Sequence, residues 1–289
     1  MHDAGCLVLP NVWNMTSAAL VVAAGYPALA TTSGGIAFCE GVPDGERIGR
    51  DRMLEVTGAI ARRFSVPVSA DLEAGYGRAP EDVAETVRQA IDAGLVGCNL
   101  EDSDPTTHQL FGLEFAVERI CAGVQAARSA GLADFVINAR VDTWIGRFGT
   151  AQENEHEAVR RANAYLAAGA RSAFVPGPTD AHTIRRLVTG IRGPLNIVTN
   201  VGRHVTPSLD ALRALGVRRA SLGVALMLAT YGAARRALEH LRERGTFDFA
   251  DASISTREMA RWLGIPNEGP AIAADALAPR DRVPKGVNQ

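Results

Sequence analysis

The segment Val68–Gly77 joins an apolar run to two carboxylates and a Gly-Tyr-Gly turn, and it is the part of the sequence best suited to chemistry. Asp71 and Glu73 follow the apolar run with i, i+2 spacing. Alternate side chains of a β-strand share a face, so this spacing predicts that both carboxylates point to the same side. Magnesium in proteins usually keeps several waters and takes one or two carboxylates. The segment therefore predicts a site for a hard divalent cation at the end of a strand.

Polar side chains also follow most of the other strand-like runs. Arg140 is suited to a carboxylate, because its planar guanidinium can bind both oxygens at once. The backbone N–H groups of Ser33-Gly34-Gly35 could hold an oxyanion or a second carboxylate. With a divalent cation, these groups describe a site for a small, doubly anionic 2-oxo acid. The strand ends concerned carry Ser33-Gly34-Gly35, Asp71 and Glu73, Glu101-Asp102, Asn138, Arg140 and Asp142, Pro176-Gly177, and Thr199 and Asn200.

Each of these groups also has a purely structural interpretation. Ser33-Gly34-Gly35 could be a flexible turn, and Asp71 and Glu73 could cap the following helix or pair with Arg78. Arg140 could be a buried partner of Asp142 or Glu101. The joint pattern favours function, because three acidic strand ends, an arginine and a glycine-rich turn are all expected at one rim.

The order of the elements predicts a single (β/α)8 TIM barrel, in which active sites lie at the carboxyl ends of the strands. Strand and helix candidates alternate from Leu7 onward, and several helices end in Ala-Gly or Leu-Gly shortly before the next strand. We expect one domain over residues 1–289, with a C-terminal extension and tail from about 245–289 and an extra helix at Thr256–Leu263. The strand candidates are Cys6–Pro10, Ala28–Thr32, Pro67–Asp71, Val96–Leu100, Phe135–Ala139, Ser172–Val175, Leu195–Val198 and Arg219–Leu222.

Composition narrows the choice of partners and compartment. A net charge of −2 and an isoelectric point near 6.3 give no reason to expect binding to nucleic acid or a membrane surface. The four cysteines are scattered without a CxxC pair, which favours reduced thiols. No apolar run reaches the ~18 residues that would span a bilayer. We therefore expect a cytoplasmic protein with a small acidic substrate.

Several motifs in order resemble the isocitrate lyase/phosphoenolpyruvate mutase superfamily, in its short bacterial branch. The resemblance runs from about Leu9 to about Arg244. The motifs are Leu9-Pro10-Asn11-Val12-Trp13, Thr31-Thr32-Ser33-Gly34-Gly35, Pro43-Asp44-Gly45, Ala70-Asp71-Leu72-Glu73-Ala74-Gly75-Tyr76-Gly77, Asn99-Leu100-Glu101-Asp102 and Asn138-Ala139-Arg140-Val141-Asp142.

The resemblance implies a (β/α)8 barrel that binds Mg2+, with Mn2+ as a possible substitute. It also implies a homodimer or homotetramer in which the C-terminal helix is exchanged between subunits. By this resemblance Asp71 is the direct metal ligand, Glu73 and Glu101 hold the metal through water, and Asp44 lies near it. The substrate-binding residues that it implies are Ser33, Gly34, Gly35 and Arg140, with Ser33 and Arg140 also contributing to catalysis.

One loop departs from the superfamily pattern. Isocitrate and methylisocitrate lyases carry a Lys-Lys-Cys-Gly-His loop after the Glu-Asp of the fourth strand, and its cysteine acts as the acid. The corresponding segment here, Ser103–Leu110, has no cysteine and no lysine. His108 is the one group in it that can exchange protons near neutral pH, which makes it a candidate catalytic acid. A solvated loop histidine is the structural alternative.

These features lead to a hypothesis with two alternatives. The leading hypothesis is a Mg2+-dependent lyase that acts on a small 2-oxo or 2-hydroxy dicarboxylic acid through an enolate. Oxaloacetate-type decarboxylation needs no protein acid for bond breaking, whereas retro-aldol cleavage needs a base and a proton donor. P–C bond chemistry, as a mutase or hydrolase, is the first alternative, although the loop lacks the lysine and asparagine of the mutases. A non-catalytic 2-oxo-acid-binding protein is the second.

Overall fold

The computed structural model of the protein describes residues 5–145, 149–199 and 206–266. Its strands are β1 (Leu7–Leu9), β2 (Asn11–Val12), β3 (Leu29–Thr31), β4 (Val68–Asp71), β5 (Gly97–Glu101), β6 (Val136–Arg140), β7 (Ser172–Phe174), β8 (Leu195–Val198) and β9 (Arg219–Ser221). Its helices are α1 (Met15–Ala23), α2 (Ser33–Cys39), α3 (Arg50–Arg63), α4 (Pro80–Asp92), α5 (Leu113–Ser129), α6 (Ala151–Ala167), α7 (Ala181–Gly190), α8 (Leu209–Leu215), α9 (Ala225–Arg244) and α10 (Thr256–Leu263), with a 3-10 helix at Asp248–Ala252.

All strand pairs of the first compact unit, Met1–Ser253, are parallel, and the sheet closes on itself. The strand order is β1-β9-β8-β7-β6-β5-β4-β3-β2. Strands β1 and β2 are two pieces of one extended segment separated only by Pro10. Strand β1 pairs with the last strand, β9, and β2 pairs with β3, so this segment closes the barrel. Proline has no N–H to donate to a ladder, which accounts for the break. The expectation of a TIM barrel is confirmed.

The glycines that end helices behave as the sequence predicts. Gly94, Gly169 and Gly216 all have positive φ, at 92°, 106° and 94°, and each precedes the next strand by a few residues. Only glycine adopts this conformation at little cost, so these residues stop each helix and turn the chain back into the barrel. Among the described helices, none is long and apolar enough to cross a membrane.

One local prediction was wrong, and the basis of a second does not hold. Ser33-Gly34-Gly35 is not a turn but the first turn of α2, which begins after the N-cap Thr32. Strand β4 ends at Asp71, and Glu73 has a left-handed backbone with φ of 51°. Strand alternation therefore does not govern the relative direction of Asp71 and Glu73.

The second unit, Ile254–Gln289, contains the described helix α10. Ser255 caps its N-terminus by accepting a hydrogen bond from the Glu258 N–H, at 3.1 Å. Gly264 ends the helix in the left-handed conformation. The extra helix predicted at Thr256–Leu263 is thus present, and its exchange between subunits stays a prediction.

Two glycines provide a matched test of barrel packing. A Cβ at Gly97 in β5 would lie 2.7 Å from the Val136 carbonyl oxygen, whereas Gly232 in α9 has no neighbour closer than an Arg236 nitrogen at 3.5 Å. We expect Gly97→Ala to lower the free energy of unfolding by about 1–3 kcal/mol. Gly232→Ala should raise it by up to about 1 kcal/mol, because alanine favours helix. Urea unfolding followed by circular dichroism measures both, and an unchanged Gly97→Ala midpoint would contradict the packing.

Candidate active site

Asp71 is the end point of a hydrogen-bond chain that crosses the inside of the barrel. The Ser172 hydroxyl donates to Asn138 Oδ1 at 2.6 Å, and Asn138 Nδ2 donates to Asn99 Oδ1 at 2.8 Å. Asn99 Nδ2 then donates to Asp71 Oδ1 at 3.0 Å. Every member is buried. Because buried polar groups are costly without partners, this chain fixes the rotamer of Asp71 at the carboxyl end of the barrel.

The other oxygen of Asp71 is held by the start of α2. Both the Ser33 N–H and the Ser33 hydroxyl donate to Asp71 Oδ2, at 3.1 and 2.9 Å. The Gly35 N–H donates to Thr32 Oγ1 as a helix cap, at 3.4 Å. A Cβ at Gly34 would lie 3.1 Å from Asp44 Oδ2, so glycine lets the Asp44 carboxylate approach the helix start. The predicted residues Ser33, Gly34, Asp44 and Asp71 thus lie together.

Glu73 lies deeper, in a clamp between two loops. Its Oε2 accepts hydrogen bonds from the N–H groups of Gly45 and Glu46, at 2.8 and 2.5 Å, and its Oε1 accepts one from the Tyr76 hydroxyl at 3.2 Å. In return, Glu46 Oε1 accepts from the Tyr76 N–H at 2.7 Å. Glu73 therefore positions the loop that carries Asp44, in addition to any role near a metal.

Backbone strain is concentrated in the loops around this site. Glu46, Glu73, Tyr76 and His108 are the non-glycine residues with positive φ within the described ranges, at 62°, 51°, 57° and 57°. Such conformations are uncommon outside glycine and persist only where surrounding contacts impose them. Glu73, Tyr76 and His108 belong to loops that follow strands β4 and β5, Glu46 lies between α2 and α3, and all but His108 form the clamp.

Arg140 lies between two carboxylates at the end of β6. Its Nη1 donates to Glu101, and its Nε donates to Asp142 Oδ1 at 2.6 Å. Asp142 Oδ2 in turn accepts from the Ser103 hydroxyl at 2.7 Å. The guanidinium carbon lies 5.7 Å from the centre of the Phe174 ring. Arginine has five N–H donors, and Arg140 uses two of them on residues that the structure describes, so its Nη2 edge can meet a ligand carboxylate.

The carboxylates of the site crowd one another. Burial and, after it, the charges of Asp44 and Asp71 together raise the pKa of Glu73 to about 8. Burial also raises the pKa of Glu101 well above its usual value, against the opposing effect of Arg140. Partial desolvation, followed by the charge of Asp71, raises the pKa of Asp44 even though this residue is exposed at the rim. If all of these carboxyls were ionised at once, the site would have more negative charge than Arg140 neutralises.

This excess charge is what a divalent cation would relieve, so the residues fit a hard metal ion. The oxygen donors of Asp71, Glu73, Glu101 and Asp44 suit magnesium, which takes few carboxylates and keeps several waters. The described residues contain no group of three or more histidine, cysteine or acidic side chains placed to grip one ion directly. A magnesium ion here would therefore have one carboxylate as a direct ligand, and the other carboxylates would bind it through water molecules.

The loop Ser103–Leu110 is joined at its two ends, and the residues at its tip are exposed. Its two end residues form an antiparallel bridge, and Asp104 Oδ1 accepts from the N–H groups of Thr106 and Thr107, at 2.9 and 3.0 Å. Arg78 pairs with Asp104. His108 is exposed, and its side chain makes no hydrogen bond to any residue that the structure describes. The structure thus does not bring His108 to the other predicted residues.

Sequence reasoning placed Asp102 and Asn138 at strand ends without giving either a role, and it did not single out Arg119, Arg161, Tyr165 or Ser172. Asp102 is buried, accepts from the Tyr165 hydroxyl at 2.7 Å and from Arg161 at 3.1 Å, and also accepts from the Asp142 N–H at 2.9 Å. Arg119 donates to the carbonyls of the 74–78 turn. Asparagine is rare inside strands, so Asn99 and Asn138 carried a usable signal, whereas Ser172 carried none. Asn200 lies outside the described residues.

Fold and site together define a (β/α)8 barrel with an acidic, arginine-containing centre at the carboxyl ends of its strands. The model of the phosphoenolpyruvate phosphomutase family matches residues 1–242. The 2-methylisocitrate lyase of Escherichia coli is 30% identical over 253 residues, covering 84% of this chain and 82% of that protein. The chain therefore belongs to the isocitrate lyase/phosphoenolpyruvate mutase superfamily.

Solved structures agree with this assignment. The crystal structure of a candidate lyase/mutase from Burkholderia cenocepacia has a TM-score of 0.84 and 39% identity, over 91% of this chain and 92% of that one. Oxaloacetate acetylhydrolase in complex with oxalate has a TM-score of 0.80 and 26% identity, over 90% and 89%. These similarities confirm the prediction that the protein is an enzyme of this superfamily. Members of the superfamily generally depend on a divalent metal ion.

The raised pKa of Glu73 predicts how stability depends on pH. Its pKa is about 8 in the folded state and 4.5 without these contacts, so the folded state binds more protons between these values. Metal-free protein should therefore lose stability as the pH rises from about 4.5 to about 8, and Mg2+ should stabilise it more at pH 8 than at pH 6. Melting temperatures with and without Mg2+ measure this.

Glu73→Gln removes the titrating group and should flatten the decline of the melting temperature with pH. Glu118→Gln removes an exposed carboxylate of α5 and should leave the decline unchanged. A metal-free melting temperature that rises between pH 6 and pH 8 would contradict the assignment.

Proposed function

We propose that the protein is a Mg2+-dependent lyase that cleaves a bond next to the carbonyl of a small 2-oxo or 2-hydroxy dicarboxylic acid through an enolate. The observation that carries the proposal is the pairing of the crowded carboxylates around Asp71 with the partly free guanidinium of Arg140. The first suits a divalent cation, and the second suits a substrate carboxylate.

The proposed role of Arg140 is to bind and orient the substrate. Glu101 and Asp142 hold its Nη1 and Nε, so its remaining N–H groups have a fixed direction. Burial opposes the positive charge, but Asp142 and Glu101 outweigh that effect and raise the pKa of Arg140. Arg140 is therefore charged at every working pH and is pre-oriented for one carboxylate.

A bound divalent cation would act as a Lewis acid and stabilise the negative charge that develops on the 2-oxo oxygen. The protein's part is to keep Asp71 correctly oriented, which Ser33 and Asn99 do through three hydrogen bonds to its two oxygens. Glu73 holds the Asp44 loop against this centre. If the backbone N–H groups of Ser33–Gly35 bind an oxygen of the substrate, they do so from the first turn of α2 and not from a flexible loop.

Decarboxylation of an oxaloacetate-like acid fits the loop Ser103–Leu110 best, since CO2 loss needs no protein acid in the bond-breaking step. Retro-aldol cleavage is the second candidate, supported by the similarity to a 2-methylisocitrate lyase. The similarity to oxaloacetate acetylhydrolase supports a small 2-oxo dicarboxylate as the substrate class. Neither reaction obtains a proton donor from His108 in the described conformation of the loop.

Oxalate, a mimic of a small enolate, tests the shared binding site. Isothermal titration should show oxalate binding that requires Mg2+ and that Asp71→Asn abolishes. Asp92→Asn removes an exposed carboxylate of α4 and should bind oxalate as the wild type does. Absence of Mg2+-dependent oxalate binding to the wild-type protein would rule out both the metal site and the enolate chemistry.

Turnover tests the role of Arg140. Oxaloacetate consumption should exceed the rate with free Mg2+, and Arg140→Lys should lower kcat/KM by about 10- to 100-fold, because lysine keeps the charge but loses the two-pronged contact. A steady-state assay over a panel of 2-oxo, 2-hydroxy and phosphonate acids measures this. Oxalate binding without turnover of any of these acids would indicate the non-catalytic alternative.

A further inference from the structure

A second polar centre lies inside the barrel, at the end opposite the site. A cavity of about 160 Å³ is lined by the first residues of several strands, including Leu7, Leu29, Gly97 and Val136. Because all the strands are parallel, these residues meet at the amino-terminal end of the barrel. Most of the lining is apolar, and Arg219 and Ser69 are its polar members.

Arg219 is the exception among the buried arginines of the described chain. It is only 2% exposed, and its side chain has no hydrogen bond or ion pair to any described residue. Arg161 pairs with Asp102 and Glu157, and Arg119 donates to backbone carbonyls. Buried charges in proteins are normally paired, because removing one from water is costly. An unpaired guanidinium therefore indicates a missing partner.

A second unsatisfied group lines the same cavity. The Ser69 hydroxyl and the Arg219 Nε are both buried without a hydrogen-bond partner. Burial lowers the pKa of Arg219 to about 10, so the side chain still carries its charge at neutral pH. The negative charge of Asp71 raises the pKa of Arg219 and so partly offsets the effect of burial, but Asp71 lies at the opposite end of the barrel. The cavity thus combines a fixed positive charge, a hydroxyl donor and apolar walls.

We propose that this cavity binds a short-chain monocarboxylate, with its carboxylate on Arg219 and Ser69 and its hydrocarbon tail against the leucine and valine side chains. A planar guanidinium matches a carboxylate in shape and charge. The apolar walls disfavour a strongly hydrated dianion such as sulfate, and they give a hydrocarbon tail an advantage over chloride. The volume exceeds the ~30 Å³ share of one water several-fold, which leaves room for an ion of this size.

The test measures the melting temperature of the full chain with Mg2+, in sodium chloride, sulfate, acetate, propionate and butyrate at constant ionic strength. Propionate should give a saturable rise of about 2 °C or more over chloride, and sulfate should give none. Arg219→Met should remove the propionate-specific rise. Arg218→Met, which removes an exposed arginine at the next position, should keep it.

Two further variants separate this cavity from the site at the other end. Arg140→Met removes the arginine that could bind a carboxylate there, and it should keep the propionate-specific rise. Ser69→Ala removes one donor and should weaken propionate binding several-fold, which keeps the test decisive if Arg219→Met does not fold. The proposal is overturned if propionate behaves as chloride does, or if its effect survives in Arg219→Met or disappears in Arg140→Met.

Discussion

The hydrogen-bond chain that ends on Asp71 is the constraint on which the rest of the site depends. It begins at Ser172 and passes through Asn138 and Asn99, so strands β7, β6 and β5 all contribute to the orientation of one carboxylate on β4. A barrel interior is normally filled by branched apolar side chains. Replacing several of them with amides costs packing, and that cost is offset only because each amide is satisfied by its neighbour.

Repulsion between the carboxylates of the site acts against this ordered arrangement. Carboxylates that raise one another's pKa repel each other when ionised, and this repulsion pushes their loops apart. Contacts within the loops oppose it, and these contacts require unusual backbone conformations. Glu46, Glu73 and Tyr76 adopt left-handed φ values and are linked by the reciprocal hydrogen bonds of the clamp. The protein therefore contains a strained centre of crowded carboxyl groups, in keeping with the general finding that backbone strain and perturbed pKa values accumulate at functional sites.

The alternation of apolar runs with helical segments and the glycines that end the helices were enough to predict the barrel and most of its element bounds. The site was harder to predict, because it depends on contacts between residues far apart in sequence. Helix α2 escaped prediction since two glycines after a strand suggest a turn. The close approach of Asp44 to Gly34 and of Thr32 and Trp13 to Gly35 explains these glycines, and neither approach is visible in the sequence. The direction of Glu73 depends on amides of the 45–46 loop, a partner almost thirty positions away that strand periodicity cannot reveal.

The loop Ser103–Leu110 and the arginine centre are connected through one hydrogen bond, from the Ser103 hydroxyl to Asp142. Asp142 also binds Arg140, and its N–H donates to the buried Asp102. The base of the loop is therefore fixed by the same residues that orient the guanidinium of Arg140, while its tip is free of them. A change of sequence at the tip can alter which groups approach the reacting bond without disturbing Arg140. That separation lets Ser103–Leu110 depart from the loop that the superfamily resemblance implies while the arrangement of Arg140, Asp142 and Asp102 stays the same.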